Sequence, residues 1–499
     1  MMKRIVSALI LAAVLPSTAE VLKNDTFSKG LRGWNTPRYW AGKTNLAEEN
    51  GKKYLRLESG ERDRGEIFGR ALGYSKPHRF FPGDTVAIRI KAKGSGTFSC
   101  GVLVYRYGSG IPQYASGGEY RLSPEFKTYE FKSSLKEQFR QILPYMEIKE
   151  AGNVLVESFL METVSDPSVS IKAENPLQTV SEKIPGKPLK FTTSLKQKEI
   201  AVSDKCGEKS SSGMKKTSAD GSIVVPVENL ASGFHEISVS AAGKSATAYI
   251  DIQPDKIFSA TDETAKKIKL KKELRALFLG DSLSDFYRGY NYIDRINFWI
   301  GKYNPGKVSF RNAGVGGDFC KRMLDRLQGE AAGRKKAYRQ EMYNGLFREK
   351  YDLIFLFLGQ NDTYCFRKDN FSKQQTPPEL QRKCLEEIYK ILKEKCPGAE
   401  IVLIAPSPSH EKLFIERDRK LPKGAYMVMY GKKEFVDLYD AENRKFCKDK
   451  NLSYIDILSV MRAVPSIKEL YVVDGIHLSP LGGRVVADEI LKFFAEKYR

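Results

Sequence analysis

The chain has 499 residues, with 82 Lys and Arg against 61 Asp and Glu, a formal net charge of +21, and 41% hydrophobic residues. This length allows several domains, and the composition excludes long disordered or fibrous stretches. The positive excess is spread along the chain, so it reads as a basic surface suited to an acidic polymer: polysaccharide, cell wall or anionic membrane. No nucleic-acid-binding motif accompanies it, and nucleic acid is not an expected partner.

At the N-terminus, Lys3 and Arg4 precede an apolar run from Ile5 to Leu15, with small residues at Ser17 and Ala19. A basic start, a short apolar core and small residues make a secretory signal peptide over 1–19, with cleavage expected after Ala19. The run is too short to span a bilayer. No later segment is long enough either, so no integral membrane segment is expected, and the mature protein is expected to be secreted, periplasmic or at the cell surface. Seven cysteines occur, at 100, 206, 320, 365, 384, 396 and 447. In an oxidising compartment some can pair, and an odd number leaves at least one thiol. With four histidines and no Cys-x-x-Cys pair, no metal site is expected.

Residues 20–164 alternate in short pieces, as in Tyr54-Leu55-Arg56-Leu57-Glu58 and Thr85-Val86-Ala87-Ile88-Arg89-Ile90, separated by Gly, Pro and Asn. That is the pattern of a β-sandwich. Together with the opening Asn24-Asp25-Thr26-Phe27 and Gly33-Trp34 and the closing Val154-Leu155-Val156-Glu157, the segment resembles a jelly-roll carbohydrate-binding module. The resemblance implies a glycan platform at Trp34, Tyr39 and Trp40, whose flat faces suit the apolar faces of sugar rings. Residues 165–254 are again strand-rich and resemble an immunoglobulin-like sandwich that lacks the Cys…Trp…Cys core; a spacer role is expected, with His235 structural. Residues 255–272 are charged and lack an evident apolar period, which predicts a linker.

From 273 to 499 the pattern changes. Apolar runs at Ala276–Leu279, Val308–Asn312, Leu353–Leu358, Ile401–Ala405 and Leu452–Ile457 alternate with helical stretches. Among these, Leu380 to Lys395 carries an apolar face at Leu380, Cys384, Ile388, Ile391 and Leu392. Ser479-Pro480 opens a last helix, with Ser as cap and Pro in the first turn. Strand–helix alternation of this kind predicts a parallel sheet covered by helices on both faces.

Four short blocks sit where strands end or the last helix begins: Gly280-Asp281-Ser282-Leu283, Gly314-Val315-Gly316-Gly317-Asp318, Gly359-Gln360-Asn361-Asp362 and Asp474-Gly475-Ile476-His477. In this order and spacing they resemble the four blocks of the SGNH (GDSL) hydrolases over about 225 residues. The fold class is therefore expected to be multidomain: two N-terminal β-sandwiches followed by an α/β three-layer, flavodoxin-like parallel-sheet domain.

The resemblance implies a serine esterase with catalytic Ser282, Asp474 and His477 and no cofactor. Chemistry supplies the reasons: an imidazole titrates near working pH and can take the serine proton, and a carboxylate three residues earlier on the same turn can fix its tautomer. The implied oxyanion donors are the backbone N–H of Ser282 and of Gly317 and the side-chain amide of Asn361. Asp281 and Asp362 are read as loop braces. Phe319 stands where the family often has Thr, altering the pocket wall. Phe286, Tyr287, Phe319 and His410 are candidate substrate contacts. Two disulfides are expected by placement: Cys320 with Cys365 beside the oxyanion loops, and Cys396 with Cys447 at the opposite sheet edge. The expected substrate is an acylated polysaccharide or other glycan ester, probed as an acetyl ester first. The alternatives are a lipolytic acylhydrolase or lysophospholipase and a glycan-binding adhesin with an inactive hydrolase domain.

Overall fold

A computed structural model describes residues 17–20, 26–27, 34–35, 44–59, 66–69, 85–105, 113–134, 141–148, 152–165, 169–184, 186–207, 209–228, 230–366, 369–419 and 428–499. The apolar run Ile5 to Leu15 lies outside them. Within them no helix is long and apolar enough to cross a membrane.

The first region is two antiparallel sheets closed on one core. One sheet runs Thr44–Glu49, Lys52–Ser59, Gly152–Ser165, Thr85–Ser95, Lys127–Ser134; the other runs Trp34–Asn35, Glu66–Gly69, Gln141–Ile148, Thr97–Tyr105, Gln113–Arg121. Alternation decides the core, because successive strand residues point to opposite faces. Val86, Ile88, Ile90 and Ala92 of one sheet face Phe98, Cys100 and Val102 of the other, all fully buried. The strand Ser17–Glu20 pairs with residues 162–165, so the expected cleavage point after Ala19 falls within a paired strand.

The second region puts a three-stranded sheet (Ile171–Ala173, Leu189–Thr193, Ser222–Val225) against a five-stranded one whose inner strands include Gly233–Ala241 and Lys244–Gln253. Phe191, Ile223, Ile237, Val239 and Ile250 share its core. His235 is structural, as its surroundings require: 3% exposed, with Nδ1 on Asp204 at 3.0 Å and Nε2 on the Ala231 carbonyl at 2.9 Å.

The linker expectation needs correction. Residues 255–266 form helix α1 (Asp255–Lys266), which buries Phe258, Thr261 and Ala265. Their spacing of three and four is a helical face, hidden in the sequence by its Thr and by the charges around it. Phe258 and Ala265 enter the same core as Trp299, Ile490 and Phe494, so the compact α/β body begins at 255 rather than 273.

That body holds five parallel strands in the order Val308–Asn312, Leu274–Gly280, Leu353–Phe357, Glu400–Ile404, Ser453–Ile455. Leu353–Phe357 is buried at every position, as a central parallel strand covered on both faces must be. The helices are α2 (Ser282–Asp285), α3 (Tyr292–Tyr303), α4 (Cys320–Ala331), α5 (Pro378–Lys395), α6 (Glu411–Arg419), α7 (Lys433–Lys450), α8 (Ile457–Ala463) and α9 (Pro480–Lys497). One core gathers α1, α3, α8 and α9 on one face of the sheet; a second gathers α4, α5 and α7 on the other. Along α5, Cys384, Ile388 and Leu392 are buried as expected, while Leu380 is 39% exposed. It lies in the first turn, ahead of where the helix meets the sheet.

Candidate active site

The strand Leu274–Gly280 stops because the backbone turns where no side chain fits. A Cβ on Gly280 would lie 2.3 Å from Ser284 Oγ and 3.0 Å from the Phe357 carbonyl oxygen. Asp281 then caps α2, its carboxylate accepting the Leu283 N–H at 2.9 Å. Ser282 is the first residue of that helix, so its N–H has no intrahelical carbonyl to meet. The neighbouring Ser284 turns inward to Tyr292 Oη at 2.7 Å, leaving Ser282 at the pocket.

On the opposite side, Asp474 organises its own turn. Its Oδ1 accepts the N–H groups of Ile476 and His477, each at 2.9 Å, and its Oδ2 meets His477 Nδ1 at 2.6 Å. Burial pushes this carboxyl up, but the charge and hydrogen bonds of His477 and the backbone N–H donors prevail and hold it well below the usual carboxylate range. With Nδ1 tied to the carboxylate, Nε2 is the nitrogen left to handle a proton. Ser282 and His477 line one pocket, together with Leu283, Tyr287, Tyr290 and Asn291.

The second and third blocks form the adjoining loops. Gly317 has φ +79°, a backbone conformation that glycine adopts without strain. Its neighbour Asp318 is wholly buried and paired with the equally buried Arg326. The Asp362 carboxylate accepts the Cys320 N–H at 2.9 Å. The Asn361 amide nitrogen donates to the Asp318 carbonyl at 2.9 Å and to Asp281 Oδ2 at 3.2 Å, tying three blocks together. Asp281, fully buried, is pushed up to about 8, first by burial and then by the charges of Asp362 and Asp318. Asp281 and Asp362 thus brace loops, as read from the sequence.

The candidate contacts divide. Tyr287 lines the pocket, and Phe286 packs on the His477 ring with centroids 4.6 Å apart. Phe319 instead lies beneath the Arg322 guanidinium, 4.9 Å away, and does not line the pocket. His410 Nδ1 accepts the Leu413 N–H at 3.2 Å at the start of α6, and His410 is not among the residues that line the pocket. Tyr39, Trp40 and the side chain of Trp34 lie outside the described residues. Tyr290, Asn291, Tyr292 and Leu478 also wall the pocket; the sequence signals the first three only by the aromatic cluster after the serine block, and Leu478 only by its place beside His477.

Neither expected disulfide forms, for all seven cysteines are free thiols. Cys320, on the first turn of α4, faces α5, its thiol donating to the Gln381 carbonyl at 3.7 Å. Cys365 turns the other way, to the Met429 carbonyl at 3.6 Å. Cys396 and Cys447 are both buried in the α4–α5–α7 core without a disulfide between them. Neighbouring loops do not guarantee side chains that point together. Among the described residues no group of three or more His, Cys, Asp or Glu is placed to hold a metal ion.

Residues 278–485 match the GDSL-like Lipase/Acylhydrolase family. Two GDSL esterases/lipases of Arabidopsis thaliana are 28% and 26% identical to the chain over 149 and 151 residues, 29% of this chain in each case. The matched stretch spans 58% and 59% of those relatives' own lengths. Among solved structures, a lipase/acylhydrolase from Enterococcus faecalis is 20% identical with a TM-score of 0.34, covering 45% of this chain and 97% of its own. A member of the lipolytic G-D-S-L family from Veillonella parvula is 15% identical with a TM-score of 0.31, covering 44% and 98%.

Proposed function

With residues 278–485 matching the GDSL-like Lipase/Acylhydrolase family, we propose that the protein is an exported serine esterase that removes small acyl groups, acetyl first, from a glycan. The observation that carries this reading is that Ser282 and His477 line one and the same pocket, with Asp474 bonded to the far nitrogen of that histidine.

In the proposed reaction, Ser282 Oγ attacks the ester carbonyl while His477 Nε2 takes its proton. The oxyanion meets the N–H groups of Ser282 and Gly317 and the amide of Asn361. Of the two bonds that amide makes, the longer, to Asp281, is the one an oxyanion would take over. The alcohol leaves with the proton from His477, and water then hydrolyses the acyl-Ser282 ester with the same imidazole as base. A small acyl group is favoured by the close walls beside Ser282, where Leu283, Tyr287 and Tyr290 line the same pocket. The formal charge of +21 favours an acidic or wall-associated polymer, and raised salt would weaken that attraction. Export after cleavage near Ala19 and glycan binding by the first sandwich complete the proposal.

Purified protein assayed on p-nitrophenyl esters and acetylated polysaccharides tests it. Acetate is expected to be cleaved faster than octanoate. Ser282→Ala is expected to lose several orders of magnitude in turnover with its fold intact, because members of such a triad act as a unit. Deleting residues 20–164 should harm activity on polymer far more than on p-nitrophenyl acetate. A preference for long acyl chains would favour a lipolytic enzyme, and no hydrolysis with retained glycan binding would favour an adhesin.

A further inference from the structure

We infer that the second sandwich is a working part of the pocket rather than a spacer. Phe234 and Tyr249, across the domain junction, act as positioning residues that hold Tyr290, and through it Tyr287, in the wall beside Ser282, so the size of group accepted there is set from outside the α/β domain. This rests on the esterase reading of the same pocket.

The observation is a continuous run of aromatic rings. Tyr249 of the strand Lys244–Gln253 meets Tyr290 with centroids 4.5 Å apart, and Phe234 of the adjoining strand meets it at 4.8 Å. Tyr290 packs on Tyr287 at 5.3 Å, Tyr287 on Phe286 at 6.4 Å, and Phe286 on His477 at 4.6 Å. Tyr287 and Tyr290 themselves line the pocket. Rings at such separations attract one another beyond the area they bury.

The loop between them does not hold this shape by local preference. Tyr287 sits at φ +56°, a conformation that costs a bulky residue free energy. Gly289, at φ +102°, brings the loop so near the sandwich that a Cβ there would lie 3.0 Å from the Tyr249 ring. Neighbouring structure must therefore stabilise the loop, and the sandwich supplies part of that support.

The junction is fixed. Arg295 of α3 and Asp251 of the sandwich form an ion pair with side chains 2% and 8% exposed. The Arg295 guanidinium also lies 5.3 Å from the Phe234 ring centre, and Ser181 Oγ donates to Asp255 at 2.7 Å.

The test uses the full chain with p-nitrophenyl acetate, butyrate and octanoate. Tyr249→Ala and Phe234→Ala are expected to change the acetate-to-octanoate ratio of kcat/KM by about fivefold or more, the scale of one lost aromatic pair. Most of that change is expected in KM, with Ser282 still labelled by a fluorophosphonate probe. Tyr249→Phe, which keeps the ring, and Ser181→Ala, elsewhere on the junction, are expected to keep the wild-type ratio. If Tyr249→Ala does not fold, Tyr249→Leu takes its place and the same change is expected. An unchanged ratio in folded Phe234→Ala and in the folded position-249 variant would overturn the inference. So would an equal change in Ser181→Ala. Wild-type hydrolysis abolished by Ser282→Ala separates these outcomes from a failure of the esterase reading itself.

Discussion

Among single residues, Asp281 is the least expected. It stands next to the proposed nucleophile, yet burial pushes its carboxyl up to about 8, so near neutrality it is largely uncharged and sets no full negative charge beside Ser282. The consequence for stability has a definite sign. Unfolded, the group ionises near 4; folded, it keeps its proton until about 8. Its contribution is fully present below the lower value and is lost as pH rises through the higher one. The melting temperature is therefore expected to fall between pH 5 and pH 9, and Asp281→Asn, which cannot ionise, is expected to flatten that slope; equal slopes in both proteins would reject the assignment. Asn361 permits a complementary test. If its amide serves an oxyanion, Asn361→Ala should lower kcat by roughly 10²–10³ with little change in KM. If it only ties Asp281 to Asp318, the loss should appear in thermal stability with kcat nearly kept. Steady-state kinetics beside a melting curve separates the two.

Among the elements, α9 matters most to the site, because its cap, Ser479, stands two residues after His477. Ser479 accepts the Gly482 N–H at 3.1 Å, and Pro480 follows at the position where a missing N–H costs nothing. Gly482 lets this turn pack tightly, since a Cβ there would lie 2.1 Å from the Leu470 carbonyl oxygen. Ser479→Ala is expected to destabilise the protein by about 1 kcal/mol, the usual cost of a lost cap, measured by urea unfolding. Helix α1 lies against α9. Its Thr261 reaches Asp488 of α9 at 3.1 Å, so the segment read as a linker joins the sandwich to the same helix that starts beside His477.

Across the whole molecule, the junction between the second sandwich and the α/β body is built like a core. It contains Tyr249 and Tyr290, each 5% exposed, and the enclosed Arg295–Asp251 pair. A buried pair adds little over apolar packing, but removing one partner strands the other without compensation. Arg295→Ala is accordingly expected to cost about 3–5 kcal/mol and to loosen both domains together. Denaturant unfolding followed by fluorescence checks this: a loss below about 1 kcal/mol would mean that water reaches Asp251 there.

Much was legible in the chain because it depends on short-range rules. Five apolar runs became five parallel strands. The central one, Leu353–Phe357, is buried at every position because a strand covered on both faces must be apolar on both, while the edge strands Val308–Asn312 and Ser453–Ile455 are only partly buried. Ser479-Pro480 marked a helix start, and Asp474 found His477 because a three-residue turn closes without help from distant chain. What the sequence could not decide was which surfaces meet. Cys320 and Cys447 lie on helices, Cys365 on a short strand and Cys396 at the end of α5, and their bonding directions follow from packing that no spacing records. Helix α1 hid its apolar face among charges. Asp251 and Arg295 stand 44 positions apart, and nothing local in either names the other. Backbone periodicity acts within a few residues, whereas the choice of partner for an exposed ring or charge is made only when whole faces compete for burial; that competition brought Phe234 and Tyr249 against Tyr290, which lines the pocket.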